Sequence, residues 1–339
     1  MVTPNGLPQS LDPYAAEVES ALRVHINQAS ASGLPLYRMM QYQLGWVDRD
    51  GLGAPPTSSN RTYGPLCLLA ANSIGTTTSY FGNAAAAIEL FHESVLVHEQ
   101  MQNADAGRDD HPPVWWIWGP AQAINVGDGL HALARLAVLK CLGLGLAADD
   151  TISLMALLDD LALGYYEGQY IELTYQERID ITTDQYSTMV RSKAGKLLGG
   201  ALALGARVAG GDEATVSGFQ ELGLVLGESA QISDDIEAIW GEGKPQGRVL
   251  NKSKLFPVVQ VLEHGTIAEK RALGGVYFKR VMELADIHEI RRVLDQTDAR
   301  ARSEERRGSL LAQGQQELAK LPLPLNQIDR WQQIISVFS

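Results

Sequence analysis

The chain has 339 residues, a formal charge of −12 at pH 7 and 45% hydrophobic side chains, enough for one large domain or two modest ones. That acid excess argues against a nucleic-acid-binding surface. The 2 cysteines, Cys67 and Cys141, sit in apolar surroundings without CxxC or CxxxC spacing, which excludes a disulfide framework or a cysteine-based zinc site and leaves two core thiols.

Residues 12–32 place Ala16, Val18, Leu22, Val24 and Ile26 at helical spacing. The Gly- and Pro-rich stretch Asp48–Asn60 reads as a loop. Buried helices are expected over 65–78 and 82–104, followed by a second loop from Gly107 to Pro113. An Ala- and Leu-rich helix spans Ala121–Gly143, and Asp149-Asp150-Thr151 is expected to cap the next, whose apolar face holds Ile152, Leu154, Met155, Leu158 and Leu161. Further helices are expected over 184–209, 212–240, 254–265, 267–283, 287–321 and 325–337. The basic run Ala299–Arg307 carries its own acids and reads as a solvated helix face. There is no run of period-2 alternation, no solenoid repeat and no long linker. The expected product is a single all-α domain over 1–339, with 1–60 partly peripheral. No apolar stretch reaches the roughly 18 residues of a membrane span, and the first ten residues lack the features of a secretory signal. A cytoplasmic protein is the expectation.

Chemistry concentrates in Gln231-Ile232-Ser233-Asp234-Asp235-Ile236-Glu237-Ala238-Ile239-Trp240. Two adjacent carboxylates within an apolar helix are costly unless a cation compensates them, and Mg²⁺ bound to a diphosphate is one such cation. Asp234 and Glu237 stand at i and i+3 and share a face, with Asp235 about 100° round. The plain alternative is a solvent-facing acidic turn. Lys193 suits a diphosphate as a point charge, and Gln169 suits hydrogen bonding inside a cavity. Either is equally an ordinary helix residue when taken alone.

Taken together, these blocks resemble the trans-polyprenyl diphosphate synthase family, which makes farnesyl and geranylgeranyl diphosphates and shares its fold with class I terpene synthases. The matching segments are Ile88–His92, Val114–Leu130, Glu167–Tyr170, Ser192-Lys193, Gln231–Asp235 and Lys254–Pro257. The resemblance implies an isoprenoid-synthase-like antiparallel helical bundle around a deep apolar cavity, with aspartate-rich motifs facing each other at its mouth. It also implies Mg²⁺ as cofactor, an allylic prenyl diphosphate as substrate, and a homodimer. On that basis Asp234, Asp235 and Lys193 are the catalytic set, and Arg108, Gln231, Lys254, Gln169 and Ser94 contact substrate. Asp234, Asp235, Glu99 and Glu237 are then the metal-ligand set.

The departures from the family pattern are as informative. The first Asp-Asp-x-x-Asp motif falls on Glu99, Gln100 and Asn103, and the following arginine pair falls on Arg108 and Asp109. The family's Gly-Lys-x-x-Arg motif, which binds isopentenyl diphosphate, falls on Asn60, Arg61, Thr62, Tyr63 and Gly64. His92 survives. Ala230 replaces the phenylalanine of the second motif, and Arg248 stands where an aspartate is usual. Two cations are thus gone from the isopentenyl site and one anion is added, at roughly 1–4 kcal/mol per close charge pair.

These departures favour a class I terpene synthase: Mg²⁺-assisted loss of diphosphate, then water quench to an alcohol or proton loss to an olefin. Ser94, at the position that often carries the aromatic cavity floor, leaves room for a C20 tail unless Met101 and the Trp115-Trp116 pair fill it. The substrate is then geranylgeranyl diphosphate or a bicyclic diphosphate supplied by an upstream class II diterpene cyclase, since the chain has no Asp-x-Asp-Asp motif of its own. The alternatives are a non-catalytic subunit of a heteromeric prenyl synthase, and residual prenyl elongation or prenyl transfer to an acceptor without a diphosphate.

Overall fold

Long apolar runs decide which helices lie inside. The structure is a computed structural model, and it describes residues 8–53, 61–75, 77–105, 107, 111–241 and 247–338. Its first half contains α1 (Asp12–Ala29), α2 (Pro35–Gln43), α3 (Tyr63–Ile74), α4 (Phe81–Gln102), α5 (Val114–Trp118), α6 (Pro120–Gly143) and α7 (Ala148–Gln176). Then come α8 (Thr183–Val190), a π-helical turn (Arg191–Gly195), α9 (Lys196–Val208), α10 (Glu213–Trp240) and the short α11 (Gly247–Leu250). The chain closes with α12 (Phe256–His264), α13 (Ile267–Tyr277), α14 (Leu284–Leu294), α15 (Ala299–Lys320) and α16 (Leu325–Val337). Among the described residues there is no strand, and Val47 and Gly53 form an isolated bridge.

α3, α4, α9 and α10 form the centre. They approach closely because small residues sit at their crossings. A Cβ on Gly205 of α9 would lie 2.1 Å from the Cys67 carbonyl oxygen of α3, and one on Gly223 of α10 would lie 2.4 Å from Gly199 Cα of α9. Only glycine permits backbone contact at that range. The main core holds Leu66, Phe91, Leu130, Leu158, Phe219 and Trp331. A second cluster, with Ile239, Val258, Leu273, Ile290 and Leu294, packs beneath the end of α10. α10 and α12 serve both: Ile236 and Phe256 join the first, Ile239 and Val258 the second. Cys67 and Cys141 are buried free thiols, as expected.

The structure departs from the expected elements in several places, among them the short α5 and α11, which were not expected. The helix expected over 267–283 ends at Tyr277. That expected over 287–321 breaks after Leu294, where the Thr297 hydroxyl donates to the Leu294 carbonyl (2.8 Å) and accepts from the Ala299 N–H (3.2 Å). Such local side-chain bonds compete with the helical ladder. α2 was hidden by its shortness and by Pro35, which here occupies the first turn where its missing N–H costs nothing. Asp149 and Asp150 lie within the first turn of α7 behind Ala147, favouring the positive helix end without capping it. Elsewhere the caps match the sequence: Asp212 accepts from the Thr215 N–H, and Thr182 with Gln185 and Thr266 with Glu269 form capping boxes. The basic run on α15 is mainly exposed, except that Arg306 reaches the fully buried Glu228 at 2.7 Å.

Candidate active site

The π-helical turn adds one residue to a turn and re-phases the helix behind it, so Lys193, Ala194 and Gly195 all face inward. Lys193 Nζ meets Glu99 Oε1 of α4 at 3.1 Å and also donates to Glu172 Oε2 of α7. The other oxygen of Glu172 lies 3.4 Å from Arg248 Nη2, and Arg248 Nη1 donates to Asp235 Oδ1 at 2.8 Å. Glu99, Lys193, Glu172, Arg248 and Asp235 therefore form one chain of alternating charge. Burial works against ionisation of Glu99, but Lys193 above all, with Arg248 and the Tyr165 hydroxyl, holds its carboxyl down at about 2. Burial likewise opposes the charge on Lys193, and Glu172 and Glu99 more than restore it.

The two adjacent aspartates have different surroundings. Asp235 is fully buried, and four donors engage its two oxygens. Gln231 Nε2 (2.9 Å) and Arg248 donate to Oδ1, while the Tyr186 hydroxyl (2.6 Å) and the Phe256 N–H (2.8 Å) donate to Oδ2. Asp234 is half-buried and makes no hydrogen bond or ion pair with any described residue. Burial chiefly, then its acidic neighbours, push its carboxyl up to about 6. Glu237, one turn on, is exposed. A partly desolvated acid lacking a protein partner fits a cation, so the donor set suits Mg²⁺ at Asp234. The oxygens of Asp235 are taken, and Glu99 already accepts from Lys193 and from the Tyr165 hydroxyl (2.9 Å).

The other expected residues fall around this centre. Gln169 donates to Gln102 Oε1 at 2.9 Å, leaving its own Oε1 buried without a partner, as is Gln100 Oε1 nearby in sequence to Glu99. Asn103 Oδ1 accepts from Gln176 at 3.3 Å. Ser94 is buried with its hydroxyl turned back to the Phe91 carbonyl (2.7 Å), and Trp116 is 61% exposed, so it does not fill space beside Ser94. Lys254 is buried against the carbonyls of Gln176 (3.1 Å) and Lys252 (2.8 Å) and over the Tyr277 ring; burial and Lys252 bring its ammonium down to about 7. Arg108 and Asp109 lie outside the described residues, as does Asn60. The sequence reading missed Glu172, Tyr165 and Tyr186. Glu172 alone left a signal, three residues beyond Gln169 on the same helix face.

A second polar cluster lies at the junction of α1, α3 and α4. Arg61 Nη1 donates to Glu93 Oε1 at 2.9 Å, its Nε and Nη2 reach Glu19 Oε2 at 3.3 and 3.2 Å, and Nη2 donates to the Leu44 carbonyl at 2.8 Å. Gln43 Nε2 donates to the other Glu93 oxygen at 2.9 Å, and the Gly64 N–H donates to Glu89 Oε2 at 2.7 Å. The Tyr63 ring packs against His92 at 4.6 Å. Burial raises the Tyr63 phenol, and the charges of Glu89, Asp234 and Glu99 raise it further.

A helical bundle with an acidic pair on one long helix facing a lysine and acids on its neighbours is the architecture of an isoprenoid synthase. The chain belongs to the polyprenyl synthetase family, which matches residues 58–294. It is 34% identical over 235 residues to a geranylgeranyl diphosphate synthase of Mycobacterium tuberculosis, covering 67% of this chain and 65% of that one. It is 26% identical over 238 residues to a (2E,6E)-farnesyl diphosphate synthase of Mycobacterium bovis, covering 69% of this chain and 65% of the relative. The match thus spans just under two thirds of these relatives' own length. Among solved structures, a polyprenyl synthetase from Streptomyces coelicolor superposes with a TM-score of 0.86 at 24% identity, covering 97% of this chain and 98% of the other. The all-α isoprenoid synthase fold expected from the sequence is therefore the fold of this chain.

Proposed function

We propose that this chain is a class I terpene synthase that ionises an allylic prenyl diphosphate and does not use isopentenyl diphosphate. The observation that carries the reading is the commitment of Arg61. The one cation retained from the isopentenyl motif is held by Glu93, Glu19 and the Leu44 carbonyl, and a trianionic ligand would have to compete with two carboxylates for it. Gly64, where the family has its second cation, offers no charge.

At the allylic end, Asp234 would hold Mg²⁺, which supplies Lewis-acid stabilisation of the departing diphosphate. Lys193 is poised to turn one of its donors from Glu99 or Glu172 to a phosphate oxygen, and its raised pKa keeps it charged for that role. Arg248 contributes a second buried positive charge, and the unpartnered acceptor oxygens Gln169 Oε1 and Gln100 Oε1 suit a water or cation rather than the diphosphate itself. The allylic C–O bond breaks with its electron pair passing to the diphosphate. Water then adds to the cation and loses a proton, giving an alcohol, or a proton leaves an adjacent carbon, giving an olefin. The small Ser94 supports a C20 substrate, acyclic geranylgeranyl or a bicyclic diterpenyl diphosphate from an upstream class II cyclase.

The rest of the expected setting belongs to the same proposal. Leu136 and Leu139 on α6 and Ile152, Leu163 and Tyr170 on α7 are exposed apolar residues, which supports a homodimer through these helices. Among the described residues no helix is long and apolar enough to cross a membrane. A single working domain in the cytoplasm is consistent with that and with the helices shared between the two cores.

One observation favours a second reading. The chain of charge from Glu99 to Asp235 is mutually satisfied without a ligand, as suits a non-catalytic subunit of a heteromeric prenyl synthase. The test incubates purified protein and Mg²⁺ with farnesyl, geranylgeranyl or a class II bicyclic diphosphate, each with and without isopentenyl diphosphate, and reads extracts by mass spectrometry. An alcohol or olefin formed without isopentenyl diphosphate supports the synthase. Longer diphosphates formed only in its presence overturn it. Activity seen only on mixing with an active prenyl synthase selects the subunit.

A further inference from the structure

We propose that Glu89, His92 and Glu93 form a second metal site, distinct from Asp234, that takes a divalent transition-metal ion such as Zn²⁺. The three residues stand at i, i+3 and i+4 on α4 and so share one face. One ligand atom from each lies within 4.8 Å of the others, and all three residues are buried. Metal–ligand distances of about 2 Å require only a small contraction of that set.

The histidine points to a cation. His92 is 7% exposed, and both of its ring nitrogens are buried without a hydrogen-bond partner. Its Nδ1 stands 3.7 Å from Glu89 Oε1, beyond hydrogen-bonding range. A buried, unsatisfied imidazole between two carboxylates is costly as a neutral group and is the natural nitrogen ligand of a borderline metal.

The charge inventory agrees. The groups around the cluster are Glu19 from α1, Gln43 from α2, Arg61 before α3, the Tyr63 ring and the Gly64 N–H. Against Glu19, Glu89 and Glu93 stand Arg61 and also Arg23, which pairs with Glu19 at 2.8 Å, so an excess of one negative charge remains for a cation to neutralise. Among the described residues Glu89 Oε1 accepts no hydrogen bond, and each Glu93 oxygen accepts only one, from Arg61 or Gln43, so unlike Asp235 with four donors both carboxylates keep a lone pair for the ion while their donors orient them. Imidazole with two carboxylates suits Zn²⁺, Mn²⁺ or Fe²⁺ better than Mg²⁺.

This inference rests on the reading that the subsite no longer accepts isopentenyl diphosphate. Dialysed protein would be titrated with Zn²⁺ by calorimetry in excess Mg²⁺, which occupies oxygen-only sites. His92→Phe, which keeps a ring against Tyr63, and Glu89→Gln would be titrated alongside, with circular dichroism to verify folding. The expected result is one tight Zn²⁺ per chain, lost in His92→Phe and weakened by at least about tenfold in Glu89→Gln, while Asp234→Asn leaves it intact. Zn²⁺ binding that is absent, or unchanged in a folded His92→Phe, overturns the proposal and leaves His92 as a packing residue against Tyr63. Turnover of isopentenyl diphosphate would instead overturn the functional reading, whatever the metal titration shows.

Discussion

Arg248 Nη1 donates to Asp235 Oδ1 at 2.8 Å, so a guanidinium sits on the second aspartate of the acidic pair. Asp235 is wholly buried and Arg248 nearly so, with 12% of its side chain exposed. Breaking a buried pair leaves an uncompensated charge, whereas the intact pair adds little net stability. Arg248→Met is therefore expected to lower folding stability by about 3 kcal/mol, measured by urea denaturation. Asp235→Asn should cost a similar amount, and the double variant less than the sum of the two. Additive losses would show that the pair is not coupled.

The adjacent aspartates should separate by phenotype. Asp234 has no described partner to lose, and burial disfavours its charge, so near pH 7 Asp234→Asn is expected to leave stability unchanged or raised while removing Mg²⁺-dependent diphosphate release. Asp235→Asn should damage stability first, and activity as a consequence. Thermal melts run beside a diphosphate-release assay would decide this. Equal destabilisation in both variants would contradict the division of labour.

Metal affinity should depend on pH through Asp234. Its carboxyl is raised from the ordinary 3.8 to about 6, chiefly by burial. Between those values the folded state holds a proton that the unfolded state has released. The contribution of this group to stability is thus full below about pH 4 and is lost as pH rises through about 6. Mg²⁺ competes with that proton, so its affinity should climb as pH rises towards 6 and level off above it. Calorimetric titrations from pH 5 to pH 8 would test the slope, and a flat profile would remove Asp234 as the ligand.

Gly64 is under steric control as well as being a lost cation. A Cβ there would stand 2.8 Å from both Val18 methyls and 3.0 Å from the Ala85 carbonyl oxygen. Gly64→Ala is expected to cost about 1–3 kcal/mol through overpacking. Gly64→Arg, although it restores a family cation, should not restore use of isopentenyl diphosphate. A shift in denaturant midpoint reads the first effect, and chain-elongation assays read the second.

Much of the candidate site was legible in the sequence. Asp234-Asp235, Lys193, Gln231 and Gln169 stood out because carboxylates and amides in apolar helices demand partners, and the long apolar periodicity marked the helices that carry them. The break at Asp295–Asp298 was not legible, because a threonine bonding to its own backbone looks the same in sequence as one inside a helix.

Sequence alone determined that the chain is helical, that it belongs with the prenyl synthases in pattern, and that Gly64 and Asp109 stand where the family pattern has arginines. Local spacing and residue chemistry suffice for such conclusions. Only the tertiary structure decided which acid is free. Asp234 and Asp235 are neighbours in sequence, but a 100° turn of the helix leaves one half-buried without a described partner and sends the other onto Tyr186, Phe256 and Arg248. Likewise Glu93 looked unremarkable until the packing of α4 against the start of α3 brought it onto Arg61. Charge compensation is a property of distance, and distances between residues remote in the chain are set by packing.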